Sequence, residues 1–540
     1  MRYRIPILIT LLIIAGLWIP SKLFSQPLNI VWITAEDLSP RLACYGDSMV
    51  PTPNIDRLAS EGVRYTHAFA TYGVCAPSRH SLIMGMYPTS TGAGAMRTHV
   101  RTSAINDITD PELLNIPVYE ATPPPQAKCF TEYLRAAGYF CTNNSKTDYQ
   151  FKPPITAWDE SHDSAHYRHR PDTSMPFFSV FNFTVTHESR IHNPRSPAIT
   201  DPAGIEVPPY YPDTETVRND IAHHYDNIAV LDQQIGKILG DLEEDGLLSS
   251  TLIFFFTDHG DGLPRAKRWV YDSGIQVPLI VRFPDQTEAG TLTDDLVSFV
   301  DFAPTVLSLC NLTIPSHMEG IPFLGDQKST PRKYIFAFRD RMDPAFETIR
   351  AVRDHRYKYI RNYRPDLPYI GFIPYRDRML MMQEILSLKE QGKLGPAQWQ
   401  FSSDSKPLEE LYDTEADRHE IHNLASDPKF LEKLTELRNA HDSWTNKHGD
   451  LNRLTDHDLI KVLWPPDGVQ PVTSEPQIEI KAGTIHLACH TPGSSIAYRL
   501  DGKGRWLLYS KPITTNGKTI EAQSIRLGYK PSAVTQASLE

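Results

Sequence analysis

Four short apolar runs, each followed by charged or imidazole side chains, constrain what this chain can fold into. Leu28-Asn29-Ile30-Val31-Trp32-Ile33 leads to Glu36-Asp37, and Gly138-Tyr139-Phe140-Cys141-Thr142 leads to Lys146 and Asp148. Phe177 to Val185 leads to His187-Glu188, and Thr251-Leu252-Ile253-Phe254-Phe255-Phe256 leads to Asp258-His259. Strand-like runs that alternate with amphipathic helical patterns predict an α/β domain with a largely parallel sheet. In open α/β sheets ligands bind at the carboxyl edge of the strands. Any one of these polar loops could be a solvated surface turn, but four with complementary chemistry point to a site.

Between the runs, Ala222 to Glu244 has helical spacing, with Ile228, Leu231, Ile235, Ile238 and Leu242 on one face for core packing. Residues 340–460 are mixed in pattern and end in a charged helix near Lys429 to Lys447. Trp464-Pro465-Pro466-Asp467-Gly468 marks a linker. From about Gln477 short runs alternate between polar and apolar residues and are broken by Gly and Pro, which predicts a small β-sandwich. The expected division is 26–340 catalytic core, 341–464 C-terminal subdomain, 465–476 linker and 477–540 immunoglobulin-like accessory module.

The N-terminus reads as a secretory signal over residues 1–25. Arg2 and Arg4 precede an apolar run from Ile5 to Ile19, and Leu23-Phe24-Ser25 offers a cleavage site. The alternative is an uncleaved anchor, for which the run is short. A periplasmic or secreted protein with no stable membrane span after cleavage is expected. The formal net charge of -11 provides no general field for nucleic acid, so an anionic substrate must be met by local basic side chains. The six cysteines have neither metal-type CxxC spacing nor a dense disulfide pattern.

Cys75 is the residue on which the chemistry turns. It stands in Gly73-Val74-Cys75-Ala76-Pro77-Ser78-Arg79, and Pro77 with a helix-compatible stretch behind it puts Cys75 at a helix N-terminus. Free N–H groups and the helix dipole favour an anion there, and Arg79 adds a charge one turn along. Three readings stay open on these residues: a thiol nucleophile of lowered pKa, a chemically converted cysteine, or a small buried cap. Glu36, Asp37, Asp258 and His259 offer mostly hard oxygen ligands, which suit Ca²⁺ or Mg²⁺ better than Zn²⁺. Arg79, Lys146, His187 and Lys267 would surround a tetrahedral oxyanion, which predicts hydrolysis of a sulfate or phosphate ester.

Cys75-Ala76-Pro77-Ser78-Arg79 resembles the signature of the type I sulfatases of the alkaline phosphatase superfamily. Pro51-Thr52-Pro53-Asn54-Ile55-Asp56-Arg57-Leu58-Ala59, Asp301-Phe302-Ala303-Pro304-Thr305 and Glu410-Leu411-Tyr412-Asp413 fit the same family in the right order. His187-Glu188, Thr257-Asp258-His259-Gly260 and Tyr271-Asp272-Ser273-Gly274 look closer to its N-sulfoglucosamine sulfohydrolase-like branch. The resemblance implies an alkaline-phosphatase-like fold and a cysteine oxidised to formylglycine by a maturation enzyme. It also implies a calcium ion held by Glu36, Asp37, Asp258, His259 and residue 75. One hydroxyl of the hydrated aldehyde would attack sulfur and the second would help expel sulfate. Arg79 would orient the diol, Lys146 and Lys267 would bind sulfate oxygens, and His187 would protonate the leaving group.

Three positions depart from the family pattern. Glu36 stands where an aspartate is usual, His259 where an asparagine is usual, and Asp148 where a histidine contacts the formylglycine hydroxyl. Asp148 is left as either a base for diol breakdown or a reader of the sugar. The substrate class implied is a sulfated carbohydrate. Arg97 and His99, in Met96-Arg97-Thr98-His99, and Arg339 and Arg341, in Arg339-Asp340-Arg341-Met342-Asp343, are expected in loops that touch an acidic sugar or a second sulfate. The alternative for them is surface salt bridges. The tail resembles the C-terminal module of hexosaminidases. Competing functions are a phosphoesterase of the same superfamily and an inactive binder of sulfated glycans.

Overall fold

The computed structural model describes residues 27–98, 109, 111–193, 198–342 and 344–539. The expected signal segment 1–25 and His99 lie outside the described residues. Among the described residues, no helix is long and apolar enough to cross a membrane. All six cysteines are free thiols.

Nine strands form the central sheet: β1 Asn29–Ala35, β2 Val63–Phe69, β3 Phe140–Asn144, β4 Glu160–Ser161, β5 Phe177–Phe183, β6 Thr251–Thr257, β7 Gln276–Arg282, β8 Leu292–Thr293 and β9 Val297–Ser298. Their order is β4-β3-β5-β1-β6-β7-β2-β8, with β9 beside β2. The strands β4, β3, β5, β1 and β6 are mutually parallel. The expectation of a largely parallel sheet therefore holds, with one exception. β7 runs antiparallel to both neighbours, β6 and β2. Pro278 of β7 has no N–H to give, and the register with β2 shifts between Tyr65 and Ala68, opposite it.

The sheet is covered on both faces, which is why its central strands are almost wholly apolar. Side chains alternate between two cores. Ile30, Trp32, Leu252, Phe254 and Phe256 face one, which Leu82, Ile83, Phe130 and Phe302 complete from three helices. Val31, Ile33, Ile253 and Phe255 face the other, where Ile228, Leu231, Ile235, Ile238 and Leu242 form the stripe expected from their spacing. Their helix is longer than its apolar pattern, spanning Glu215–Glu244, because Thr214 Oγ1 accepts from Val217 N at 3.3 Å and caps it early.

A second, antiparallel sheet has the order β10 Ile335–Arg339, β11 Ile349–Arg353, β12 Tyr357–Asn362 and β13 Glu409–Asp413. It begins at Ile335, upstream of the division expected at 341. One face packs on Phe69, Trp269 and Tyr271 beside the site. The other takes Leu434 and Leu437 of the helix Leu431–His448. The tail forms two small antiparallel sheets. One contains β14 Gln477–Lys481, β15 Thr484–Ala488 and β18 Ile513–Thr514. The other contains β16 Ser495–Leu500, β17 Leu507–Leu508, β19 Thr519–Ile525 and β20 Thr535–Ser538. Ile485, Leu487, Ile496, Ile513, Ile520 and Ala522 fill the space between them. The tail is docked rather than tethered. Trp464, in the stretch read as a linker, is buried and its Nε1 donates to Gly528 O at 3.0 Å.

Candidate active site

Because β1, β3, β5 and β6 are parallel, their polar C-terminal extensions meet at one edge of the sheet. Glu36 and Asp37 follow β1, Lys146 and Asp148 follow β3, His187 and Glu188 follow β5, and Asp258 and His259 follow β6. Asp37 turns the chain through a left-handed conformation, φ 52°, and its backbone N–H donates to Asp258 Oδ1 at 3.2 Å. The helix Cys75–Met84 points its first residue into this cluster, as its sequence predicts. Cys75 is fully buried, and its Sγ lies 3.4 Å from His259 Nε2.

Charges alternate around Cys75. Arg79 Nε donates to Asp258 Oδ2 at 3.0 Å, Nη2 to Glu36 Oε1 at 3.4 Å and Nη1 to Asn182 Oδ1 at 2.7 Å. Lys267 Nζ donates to Asp37 Oδ2 at 2.6 Å and lies 3.1 Å from Glu188 Oε1. Lys146 Nζ pairs with Glu36 Oε1. Burial pushes the Cys75 thiol up, but Lys146 and Lys267 outweigh it and bring the group down to about 6. Burial opposes charge on His259, yet Asp258 and Asp37 lift it to about 10. Burial also works against both lysines. Cys75 and Glu36 around Lys146, and Asp37 and Cys75 around Lys267, hold each above the ordinary lysine value.

The donor set fits a hard divalent cation. Asp37, Cys75 and His259 bring ligand atoms within 4.8 Å of one another. Asp37 Oδ1 is buried and faces His259 Nε2 at 3.1 Å. Glu36 and Asp258 add carboxylates that are 1% and 0% exposed, so the oxygens are already stripped of water.

Around this centre the sequence-predicted residues divide. His187 is half-buried, and its Nδ1 accepts from Ser189 N at 3.2 Å, which leaves the proton on Nε2. Asp148 lies 3.3 Å from Arg97 Nη2 and 3.8 Å from Lys146 Nζ. Burial raises the Asp148 carboxyl, but Lys146 and Arg97 pull it down to about 2. Gln150 ties the Arg97 loop to this segment, its Nε2 donating to Ala93 O at 2.8 Å. Arg339 is not a loop residue as expected, whereas Arg341 does lie in the irregular segment after β10. Arg339 ends β10, is 2% exposed, and stacks its guanidinium 3.7 Å from the Trp269 ring centroid. Arg341 binds Asp456 through Nε and Nη2, both at 3.0 Å. The Trp269 ring and an ion pair across more than a hundred residues claim these two side chains.

Three residues at the site had no role assigned from sequence. Glu188 donates its N–H to Asp37 Oδ2 at 2.7 Å, and its carboxylate takes both Arg268 Nη atoms, at 2.9 and 2.7 Å. Asn182 fixes Arg79, as above. The signal for Asn182 was a lone amide in the apolar run of β5. Glu188 and Arg268 each adjoin a residue that was singled out, His187 and Lys267.

The family profile described as Sulfatase matches residues 28–312, and the profile for the N-sulphoglucosamine sulphohydrolase C-terminal region matches 264–369. An ulvan-active sulfatase of Formosa agariphila is 44% identical over 96% of this chain and 92% of its own length. Human N-sulphoglucosamine sulphohydrolase is 24% identical, covering 82% of this chain and 94% of its own. The solved phosphonate monoester hydrolase of Agrobacterium radiobacter superposes with a TM-score of 0.57 at 16% identity, over 79% of this chain and 97% of its own, and shares the fold alone. The chain belongs to the sulfatase family, as a type I sulfatase of the alkaline phosphatase superfamily. It is a sulfuric ester hydrolase.

Proposed function

We propose that this sulfatase hydrolyses sulfate esters, or an N-sulfate, of a sulfated polysaccharide or oligosaccharide. The observation that carries the reading is the convergence of Cys75, three buried carboxylates, His259, Lys146 and Lys267 at one sheet edge. Cys75 matured to formylglycine by a dedicated enzyme would supply an oxygen nucleophile and a second hydroxyl through which sulfate leaves. Glu36, Asp37, Asp258 and His259 would hold a calcium ion, with magnesium the alternative, to polarise the sulfate. Lys146 and Lys267 take the sulfate oxygens and neutralise charge that grows in the transition state. Arg79 keeps Glu36 and Asp258 in place, and His187 donates from Nε2 to the bridging oxygen as the alcohol departs. Asp148 acts on the substrate side, holding Arg97 toward the sugar, because a carboxyl drawn down to about 2 is a weak base at neutral pH.

The similarity to an ulvan-active sulfatase supports ulvan as the first substrate to test. The apolar N-terminal run supports export to the periplasm or beyond. Residues from about 477 onward are read as an accessory module of the same enzyme. The test is sulfate release, by ion chromatography, from ulvan and from paired sulfate and phosphate esters of one alcohol, with calcium and matured protein. Tryptic mass spectrometry of the peptide carrying residue 75 accompanies it. Sulfate release with formylglycine at 75 is expected. Preference for the phosphate ester, or an unmodified cysteine in active protein, would overturn the reading.

A further inference from the structure

The catalytic region and the tail do not close completely against each other. Between them lies a groove of about 470 Å³, lined among others by Ser145, Thr147, Trp158, Asp159, Arg505 and Trp506. That volume is in the range of small-molecule sites. We propose that this groove is a second subsite of the enzyme, which holds a neighbouring sugar of the same anionic glycan. The proposal rests on the reading of the chain as a glycan sulfatase.

Position is the first argument. Ser145 and Thr147 flank Lys146, whose ammonium pairs with Glu36 in the candidate active site. One short segment after β3 gives its lysine to the sulfate site and its flanking Ser145 and Thr147 to the groove wall. The groove runs beside β3 and β4, from Ser145 and Thr147 next to Lys146 to Asp159 and Arg505 beside the start of β3. A polymer with one sulfate at Lys146 would pass its next sugar into the groove at Ser145 and Thr147.

Chemistry is the second argument. Trp506 offers an indole of the kind that sugars stack on, and Arg499 braces it with its guanidinium 4.7 Å from the ring. Arg505, on the turn that precedes β17, adds a guanidinium to the groove wall, a donor suited to a carboxylate or sulfate of a glycan. Arg505 is held at the groove by Asp159, at 3.2 Å, and lies over Phe140.

Rigidity is the third. Arg135 Nη2 donates to Trp506 O at 2.8 Å, and Lys128 Nζ donates to Ser495 Oγ at 2.7 Å, so the tail wall is fixed to the catalytic region. A pre-formed wall spares the ordering cost of binding.

The test compares full-length, matured enzyme on ulvan polymer and on disaccharides cut from it. Arg505→Gln and Trp506→Ala remove groove contacts, and Ser161→Trp fills the groove from a residue on its rim without touching the tail. Melting temperature reports folding, and Trp506→Ala keeps the carbonyl that Arg135 uses. In each variant the polymer-to-disaccharide ratio of kcat/KM is expected to fall about tenfold, with a matching loss of polymer affinity by calorimetry. A ratio within twofold of the parent in both Arg505→Gln and Ser161→Trp would overturn the subsite. If the parent frees sulfate from neither substrate, the proposed function fails. Polymer affinity alone then decides the groove: about tenfold weaker binding in the variants supports it, and unchanged binding overturns it.

Discussion

Arg79→Met tests the electrostatic reading of the site most directly. The substitution keeps much of the side chain's length and removes its charge. In the parent this guanidinium, 4% exposed, touches Asp258 at 3.0 Å, Glu36 at 3.4 Å and Asn182 at 2.7 Å. Without it two buried carboxylates lose a counter-charge they share, with Lys146 left beside Glu36 and His259 beside Asp258. Breaking a buried pair in this way costs about 3–5 kcal/mol. The chain has several cores, so the loss is best read locally, by hydrogen exchange of peptides spanning β1 and β6 in the presence of a chelator. Calcium should narrow the gap between variant and parent, since a cation bound by the same carboxylates replaces the lost charge. Acid should narrow it too. Burial raises the Asp258 carboxyl, but His259 and Arg79 hold it below its ordinary value of 3.8. Its contribution in the parent is present above that pH and lost as pH falls through the lowered value. A local loss under about 1 kcal/mol in chelator, or a gap that calcium leaves unchanged, would refute the reasoning.

Lys146→Ala should lower kcat by about 10²–10³, the usual effect of removing one donor to a developing oxyanion, in steady-state sulfate release; near-parental turnover would remove Lys146 from the sulfate site. Asp148→Asn should raise KM while costing kcat less than about tenfold, and should leave the shape of the pH–rate profile above about pH 5 unchanged, because the parent carboxyl titrates near 2. Loss of an acid limb in that profile would instead make Asp148 a base. Gly260→Ala should destabilise the protein by about 1–3 kcal/mol or more in thermal melts, because a Cβ there would sit 2.1 Å from Ser273 O, a backbone atom with nowhere to move.

Much of the central sheet was legible in the chain itself. Strands covered on both faces must be apolar along their whole length, so β1, β5 and β6 stood out as runs. Each run announces its end by turning polar, and the parallel direction brings those ends to one edge. Cys75 at a helix start was readable from Pro77 and the helix-compatible stretch behind it, since both are local constraints on the backbone. Less was legible where a residue's role depends on a distant partner. Asn182 looked like an interruption of β5, yet its amide oxygen holds Arg79, 103 positions away. Glu188 had a noted neighbour but no role until Arg268 closed on it. Arg339 and Arg341 looked like surface charges because local pattern cannot say that Trp269 or Asp456 will be waiting.

Local rules of backbone and burial thus wrote the strands, the helix tip and the list of charged groups into the amino-acid order. Which charge meets which was decided only by the folded chain. Asp37 and Lys267 are separated by 230 positions and their contact is 2.6 Å. The reversal of β7 and the groove beneath Trp506 are of the same kind. Coulomb forces and packing act through space, and only closure of the sheet and docking of the tail set those distances.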